Sequence, residues 1–378
     1  MNIGIVTHNF PSFNEEGRAA AGNFVVPLCL ELGKRGNIVC VLTPDVAKKK
    51  DDYPFVVERF GACSGDKLLG HHKLYNPFDL YRLWAMLDNG SDKLNWLIEK
   101  YDIEVLLAMW AFPAGFLCSR TKKKIPYYTW CLGSDIWTLG KVPIVRMLVS
   151  EVLKRSKRVY ADGLQLAVDA KKLSGCSCEF LPTTRFRDDI NPICKYSASS
   201  ITTFLYVGRW EKAKAPDLFL HAAKICLQKR SDVRFKIFGG GSLEEDIREF
   251  GLQLHKRFGD RFIIGGYLSE SEFKQELSQA SCFVIPSRME SIPIALTDAV
   301  SAGVPVIVSD AGDMGYWVKK FGLGIVFSKG DLAGLLEGLD SMIEKRFEIQ
   351  QENREAYLKT FSIGSVVDSL LCDLREFR

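Results

Sequence analysis

Two stretches in the second half of the sequence carry residues whose types and spacing could do chemistry. The first is Tyr206-Val-Gly208-Arg209-Trp-Glu-Lys-Ala-Lys214, where two cations sit five residues apart just after an apolar run. Arginine offers a planar fork and lysine a compact charge, and together they suit a phosphate at a strand-to-helix turn. The same residues would suit a solvated loop, and spacing alone decides neither. The second is Pro286-Ser-Arg-Met-Glu290-Ser291-Ile292-Pro293-Ile294-Ala-Leu-Thr-Asp298, followed by Ala-Val-Ser-Ala-Gly303. Pro293 suits the first turn of a helix and Gly303 its end. Glu290 then lies just before a helix N-terminus, whose free amides and positive dipole end attract anions. A carboxylate beside such an anion can bind sugar hydroxyls, or it can merely interact with the dipole. Asp298 lies in the same helix.

Phe238-Gly239-Gly240-Gly241-Ser242 is a third candidate, a glycine-rich turn that lets backbone approach a ligand. It lacks the G-x-G-x-x-G spacing of a dinucleotide fingerprint. Gly17 and Gly22, after Phe10-Pro11-Ser12, are similar but weak signals. No metal is expected. His71-His72 have no acid or cysteine at ligand spacing, and Cys176-Ser-Cys178 matches neither a zinc nor a redox pattern. The 11 cysteines are an odd number scattered through apolar runs, which reads as reduced, buried thiols.

The elements that must position these residues alternate along the chain. Strands are expected near Ile3–Thr7, Ile38–Thr43, Val56–Phe60, Ile103–Met109, Tyr127–Cys131 and Val159–Ala161. A second set follows at Phe204–Gly208, Arg234–Phe238, Phe262–Gly265, Cys282–Pro286, Val304–Ser309 and Gly324–Phe327. Helical patterns lie between, as at Phe24–Lys34 and Leu80–Lys100, and capping-box patterns stand at Ser242–Glu245 and Ser269–Glu272. That alternation predicts an α/β protein of two Rossmann-like, doubly wound parallel-sheet lobes. The aperiodic stretch Pro182–Ser200 reads as their linker. Parallel sheets bind ligands at the carboxyl ends of their strands, so both lobes are expected to turn those ends to a central cleft.

At 378 residues, 47% hydrophobic and 25% charged, the composition suits a soluble two-domain protein. The net charge of +4 is too small to argue for nucleic acid, and no nucleic-acid motif stands out. Met1 leads straight into a strand-like run with no signal-peptide features, and the apolar stretch Val105–Cys118 is broken by Pro113. A cytoplasmic protein is expected. Gly140–Tyr160 reads as an amphipathic helix with Val142, Val145, Val149, Val152 and Leu153 opposed to Lys141, Arg146, Lys154 and Arg155. Such a helix can lie on an anionic bilayer, as a peripheral contact, or pack its valines on the N-terminal sheet.

Read together, these pieces resemble retaining glycosyltransferase family 4, the group 1 glycosyltransferases of GT-B fold. The resemblance covers nearly the whole chain and is strongest from Thr203 to Gly330. It implies a metal-independent enzyme without a cofactor, moving a sugar from a UDP or GDP sugar to a saccharide or lipid-linked acceptor in polysaccharide synthesis. Gly208-Arg209…Lys214 matches the family's diphosphate motif, and Glu290 with Asp298 matches its E-x7-E motif. By resemblance Arg209, Lys214 and Glu290 are catalytic, Glu290 on the sugar, and Asp298 binds the ribose. Gly208, Gly239, Tyr267, Leu268, Ser291, Ile292 and Ile294 complete the donor site, with Gly239 and the turn at Tyr267 and Leu268 near the base. Gly133-Ser-Asp135-Ile136 resembles the family's H-G-x-D segment, so Asp135 joins Gly17 and Gly22 in the N-terminal cleft. The resemblance makes 1–190 the acceptor lobe, with a helix at 363–378 packing back on it, and 200–362 the donor lobe. Leu132 stands at the family's histidine, Asp298 is one methylene shorter than glutamate, and Thr183-Thr184-Arg185 replaces a family linker phrase. A catalytically weakened sugar-nucleotide scaffold and a GT-B epimerase are the alternatives.

Overall fold

The computed structural model describes residues 1–11, 22–45, 52–61, 77–186, 201–345 and 347–376. Gly17 and the His71-His72 pair lie outside these residues. The chain divides into two compact units. Unit 1 is Met1–Arg185 with Val366–Arg378, and unit 2 is Phe186–Ser365.

Among the described residues, unit 1 holds seven strands: β1 (Asn2–Val6), β2 (Ile38–Asp45), β3 (Val56–Gly61), β4 (Val105–Met109), β5 (Tyr127–Cys131), β6 (Val159–Ala161) and β7 (Glu179–Phe180). They form one parallel sheet in the order β3-β2-β1-β4-β5-β6-β7. Its helices are α1 (Val25–Lys34), α2 (Pro77–Lys100), α3 (Phe116–Cys118), α4 (Ser134–Trp137), α5 (Pro143–Arg155) and α6 (Leu164–Ser174). β4 and β5 are buried at every residue, which is why they read as unbroken apolar runs in the sequence. β4 starts at Val105 rather than Ile103, because the Ile103 N–H is spent on Ile98 O in closing α2. β7 was not expected; two residues are too short to show a period.

Unit 2 holds β8 (Thr202–Arg209), β9 (Val233–Gly240), β10 (Phe262–Gly265), β11 (Cys282–Ile285), β12 (Val306–Ser309) and β13 (Gly324–Phe327). These are also all parallel, in the order β10-β9-β8-β11-β12-β13. The helices are α7 (Pro216–Lys229), α8 (Glu244–Phe258), α9 (Glu270–Gln279), α10 (Ile294–Ser301), α11 (Met314–Phe321), α12 (Leu332–Lys345) and α13 (Gln351–Thr360). β12 begins after Pro305, which has no N–H to give the ladder. The capping box at Ser269–Glu272 forms, with Ser269 Oγ accepting from the Glu272 amide. The one expected at Ser242 does not. The chain leaves the glycine turn in a tight bend, with Leu243 N–H on Trp210 O, so α8 is capped by Leu243 without a side-chain bond.

A last helix, α14 (Ile363–Glu376), buries Val366, Val367, Leu370, Leu371 and Leu374. From Val366 on it belongs to unit 1. Tyr160 donates to its Asp373 carboxylate at 2.5 Å, and Tyr128 to the Asp373 carbonyl at 3.2 Å. No helix among the described residues is long and apolar enough to cross a membrane.

Candidate functional site

In unit 2 the two chemistry-bearing stretches occupy the turns after β8 and β11, which are adjacent in the sheet. β8 ends at Arg209. The chain then makes a short helical turn at Lys212–Lys214, passes through Ala215 at φ 51°, and starts α7 at Pro216. Tyr206, fully buried, holds this turn from beneath. Its hydroxyl donates toward the carbonyls of Arg209 (3.2 Å) and Lys214 (3.4 Å). Burial pushes its pKa well up, so it stays a neutral donor.

The turn after β11 is stitched to the first by backbone. The N–H groups of Arg288 and Met289 both donate to Ala213 O, at 2.8 and 3.2 Å. The next residue on each side is then brought to its partner: the Lys214 ammonium donates to the Glu290 carboxylate. Both side chains are largely buried, whereas Arg209 is 55% exposed and pairs with nearby Glu211 at 2.9 Å. Lys214 is therefore the fixed cation and Arg209 the movable one.

The turn after β12 closes over the Glu290 loop. Asp313 N–H donates to Ser291 O at 3.3 Å, and Ser309 Oγ to Ser287 O at 2.5 Å. Gly312 passes so close to the Glu290 carbonyl that a Cβ would lie 2.0 Å from the oxygen. Its φ of 56° also favours glycine. Beyond the loop, Pro293 is the N-cap of α10 rather than its first residue, and Gly303 follows the helix end at φ 77°. The Leu296 amide donates to Pro293 O at 3.0 Å, while the two amides before it, of Ile294 and Ala295, have no intrahelical acceptor. Ser291 Oγ, beside them in sequence, is buried and has no partner among the described residues.

Asp298 lies half-buried in α10, one residue past Thr297, whose hydroxyl bonds Tyr357 of α13 at 3.1 Å. Arg354 of α13 donates to Val300 O at 2.9 Å and to Ser301 O, a cation at the C-terminal end of α10. Gly239 lies against Gly208, where a Cβ would sit 2.0 Å from the Gly208 carbonyl, and its N–H donates to Gly266 O at 3.0 Å. The Tyr267 ring rests against Gly240, and Tyr267 remains 37% exposed. Leu268 and Ile294 are half-buried and Ile292 is buried.

The expected unit 2 residues thus fall at the C-terminal ends of four neighbouring strands, β10, β9, β8 and β11, and in α10. Sequence reasoning assigned no role to Tyr206, to the closure by Gly312, or to Arg288. The Arg288 guanidinium grips the Asp217 carboxylate with both nitrogens, at 2.8 and 2.6 Å. Arg288 was visible in the phrase before Glu290, but no local pattern reports a partner 71 residues away.

In unit 1, Gly22 lies against the Asn9 carbonyl at the start of α1. Asp135 is fully buried, and its carboxylate takes the backbone N–H groups of Ala111 (2.8 Å) and Leu132 (3.2 Å). Burial raises its pKa and the backbone N–H bonds lower it, with a net rise to about 6. It ties the turns after β4 and β5 together. The expected amphipathic helix is α5, but Val145, Val149, Val152 and Leu153 are buried in the core of unit 1. The face that could have met a bilayer is spent on the sheet, and the exposed apolar side chains of α5 are instead Ile144 and Met147.

Residues 198–359, most of unit 2, match the family model described as glycosyl transferases group 1. Among curated proteins, the chain is similar to the Escherichia coli UDP-Gal:alpha-D-GlcNAc-diphosphoundecaprenol alpha-1,3-galactosyltransferase. The two are 27% identical over 219 residues, 57% of this chain and 55% of the relative. The chain thus spans about half the length of that relative. Among solved structures, sucrose-phosphate synthase from Thermosynechococcus elongatus superposes with a TM-score of 0.78 at 15% identity, over 100% of this chain and 98% of the other. Anabaena HepE in complex with UDP-glucose gives 0.73 at 13% identity, over 100% of both chains. The structural neighbours are GT-B glycosyltransferases, and the expected α/β architecture of two parallel sheets is the one found.

Proposed function

We propose that this protein transfers a sugar, with retention of configuration and without a metal ion, from a nucleoside-diphosphate sugar to a saccharide or lipid-linked acceptor. The observation that carries the reading is the meeting of Lys214 and Glu290 across two stitched turns at the strand ends of unit 2. The family match over the same unit and the donor and acceptor printed in the E. coli relative's name support the substrate class. A UDP sugar is the first donor to test, given the neighbour bound to UDP-glucose.

In this reading Lys214 keeps one N–H on Glu290 and turns two toward the diphosphate. Arg209 exchanges Glu211 for phosphate oxygens at little cost, because an exposed ion pair is weak. The amides of Ser291 and Ile292, just before α10, and of Ile294, its first residue, complete the anion site. Glu290 takes a sugar hydroxyl and Asp298 the ribose, with the base near Gly239, Tyr267 and Leu268. As the glycosidic bond breaks, charge gathers on the departing phosphate oxygen, and fixed cations stabilise it where it forms.

A thermal-shift screen against UDP, GDP, ADP and their sugars identifies the donor, since a ligand of the native state raises Tm. Donor turnover is then followed in excess chelator. Nucleotide binding without any turnover would leave a scaffold rather than an enzyme. The reading places the reaction in the cytoplasm, with peripheral membrane contact when the acceptor is lipid-linked. The surface offered is Ile144 and Met147 of α5, 75% and 74% exposed, beside Lys141 and Arg146. Equal, negligible sedimentation with neutral and anionic liposomes would remove that contact.

A further inference from the structure

We propose that Arg288 and Asp217 are a positioning pair that sets the place of Lys214, and so determines how tightly the protein holds a diphosphate. The proposal rests on the donor-site reading above and adds to it two residues that touch no part of the donor.

The geometry is a double stitch. On the backbone side, Arg288 and Met289 N–H groups converge on Ala213 O. On the side-chain side, Arg288 reaches past its own backbone to the other turn. Nη1 donates to the Lys212 carbonyl at 3.2 Å and to Asp217 Oδ1 at 2.8 Å, while Nη2 donates to Asp217 Oδ2 at 2.6 Å. One guanidinium therefore fixes the entry to the Lys214 turn and the first turn of α7 together. Lys214 lies between these two fixed points, and Glu290 lies two residues past Arg288.

The planar fork matters. A bidentate arginine–carboxylate pair holds direction as well as distance, which a lysine cannot do. Burial pushes the Asp217 pKa up, but the Arg288 hydrogen bonds and charge outweigh it, so the carboxylate is held ionised below the usual aspartate range. The pair is about a third exposed and bonded to nothing that would leave when a donor arrives. Its work is to keep an ammonium from drifting, because a displacement of about 1 Å at a charged contact costs a large part of its effect.

Two measurements on the full chain test this. The first needs no ligand: amine-labelling rates of Lys214 by mass spectrometry, with exposed Lys229 as internal reference. The second is calorimetric affinity for UDP, GDP or ADP, whichever the native protein binds, compared with the matching nucleoside. Arg288→Met is expected to raise Lys214 labelling several-fold. It should weaken the diphosphate by about tenfold and leave the nucleoside within about twofold, the loss of roughly one charge-assisted contact. Arg288→Lys should behave like Arg288→Met, whereas the exchanged pair Arg288→Asp with Asp217→Arg should recover part of both losses. Native labelling and native diphosphate affinity in folded Arg288→Met would overturn the proposal. If Arg288→Met does not fold, the near-isosteric Asp217→Asn is read by the same two criteria. If the native protein binds no nucleotide, the glycosyl-transfer reading falls, and unchanged labelling still decides against the pair while faster labelling supports its hold on Lys214.

Discussion

Gly312 packs against the Glu290 carbonyl with no room for a side chain, since a Cβ there would lie 2.0 Å from the oxygen. The turn after β12 thus sets the height of the loop that presents Glu290. Gly312→Ala should push that loop away and also strain the backbone, whose φ is 56°. The expected cost is about 1–3 kcal/mol of stability, with weaker donor binding in the folded fraction. Chemical denaturation and calorimetric titration check it. A variant with native stability and native affinity would mean that the loop has slack.

Arg209→Ala and Lys214→Ala should act on the diphosphate alone. Each removes charge-assisted hydrogen bonds worth on the order of 1.5–3 kcal/mol, about 10–150-fold in affinity. The bare nucleoside should bind nearly as before. Turnover should fall along with affinity, since these contacts strengthen as the sugar leaves. Activity of the native protein should persist in excess chelator. Reversible loss of activity on chelation, or native turnover in both variants, would mean the cations do not do a metal's work.

Asp298→Ala separates a ligand role from a helix role. If the carboxylate binds ribose, nucleoside and nucleotide sugar should both weaken, by roughly 1–3 kcal/mol. The Thr297–Tyr357 bond should still anchor α10. Unchanged affinity in the folded variant would remove Asp298 from the site.

His8 gives a pH signature to unit 1. It packs against Trp110 with ring centroids 4.5 Å apart and the planes tilted at 59°, and burial pushes its pKa from 6.5 down to about 4. Between those values the unfolded chain binds a proton that the folded chain refuses. Stability should therefore be complete above about pH 6.5 and fall as the pH drops toward 4, by roughly 1–3 kcal/mol. His8→Phe should flatten this acid limb. Thermal melts of both proteins from pH 4 to 8 provide the comparison, and identical slopes would show that another group sets it.

The strands were legible because parallel strands covered on both faces leave continuous apolar runs, as in Val105–Met109 and Tyr127–Cys131. Their errors were local. Pro305 shortened β12, and the turn at Gly241 delayed α8 past Ser242. Arg209, Lys214, Glu290 and Gly239 could be picked out by type and position, since each follows or ends a strand. What the sequence could not give was who meets whom. The Arg288–Asp217 and Lys214–Glu290 pairs join residues 71 and 76 positions apart, and no period or cap encodes them. Asp135 was singled out by its family-like setting, but its bonds to the Ala111 and Leu132 amides, which tie two turns together, have no sequence signal. For the valines of α5 the sequence left two readings open, a bilayer or the sheet, because amphipathicity names an apolar face without saying what covers it; they are buried in the core of unit 1.

The sheet of unit 1 receives α14 only after all of unit 2 has been made, because Phe186–Ser365 lies between its two pieces. During synthesis at roughly 5–20 residues per second, that interval is on the order of 10–40 s. Over that time Tyr128 and Tyr160 have no Asp373 to bond, and the surface awaiting Val367 and Leu370 is wet. The nascent chain should therefore complete its domains out of order, the second before the first. Released chains truncated after Ser365 should then be cut by protease in unit 1 and resist it in unit 2, and should be the form of this protein that chaperones hold.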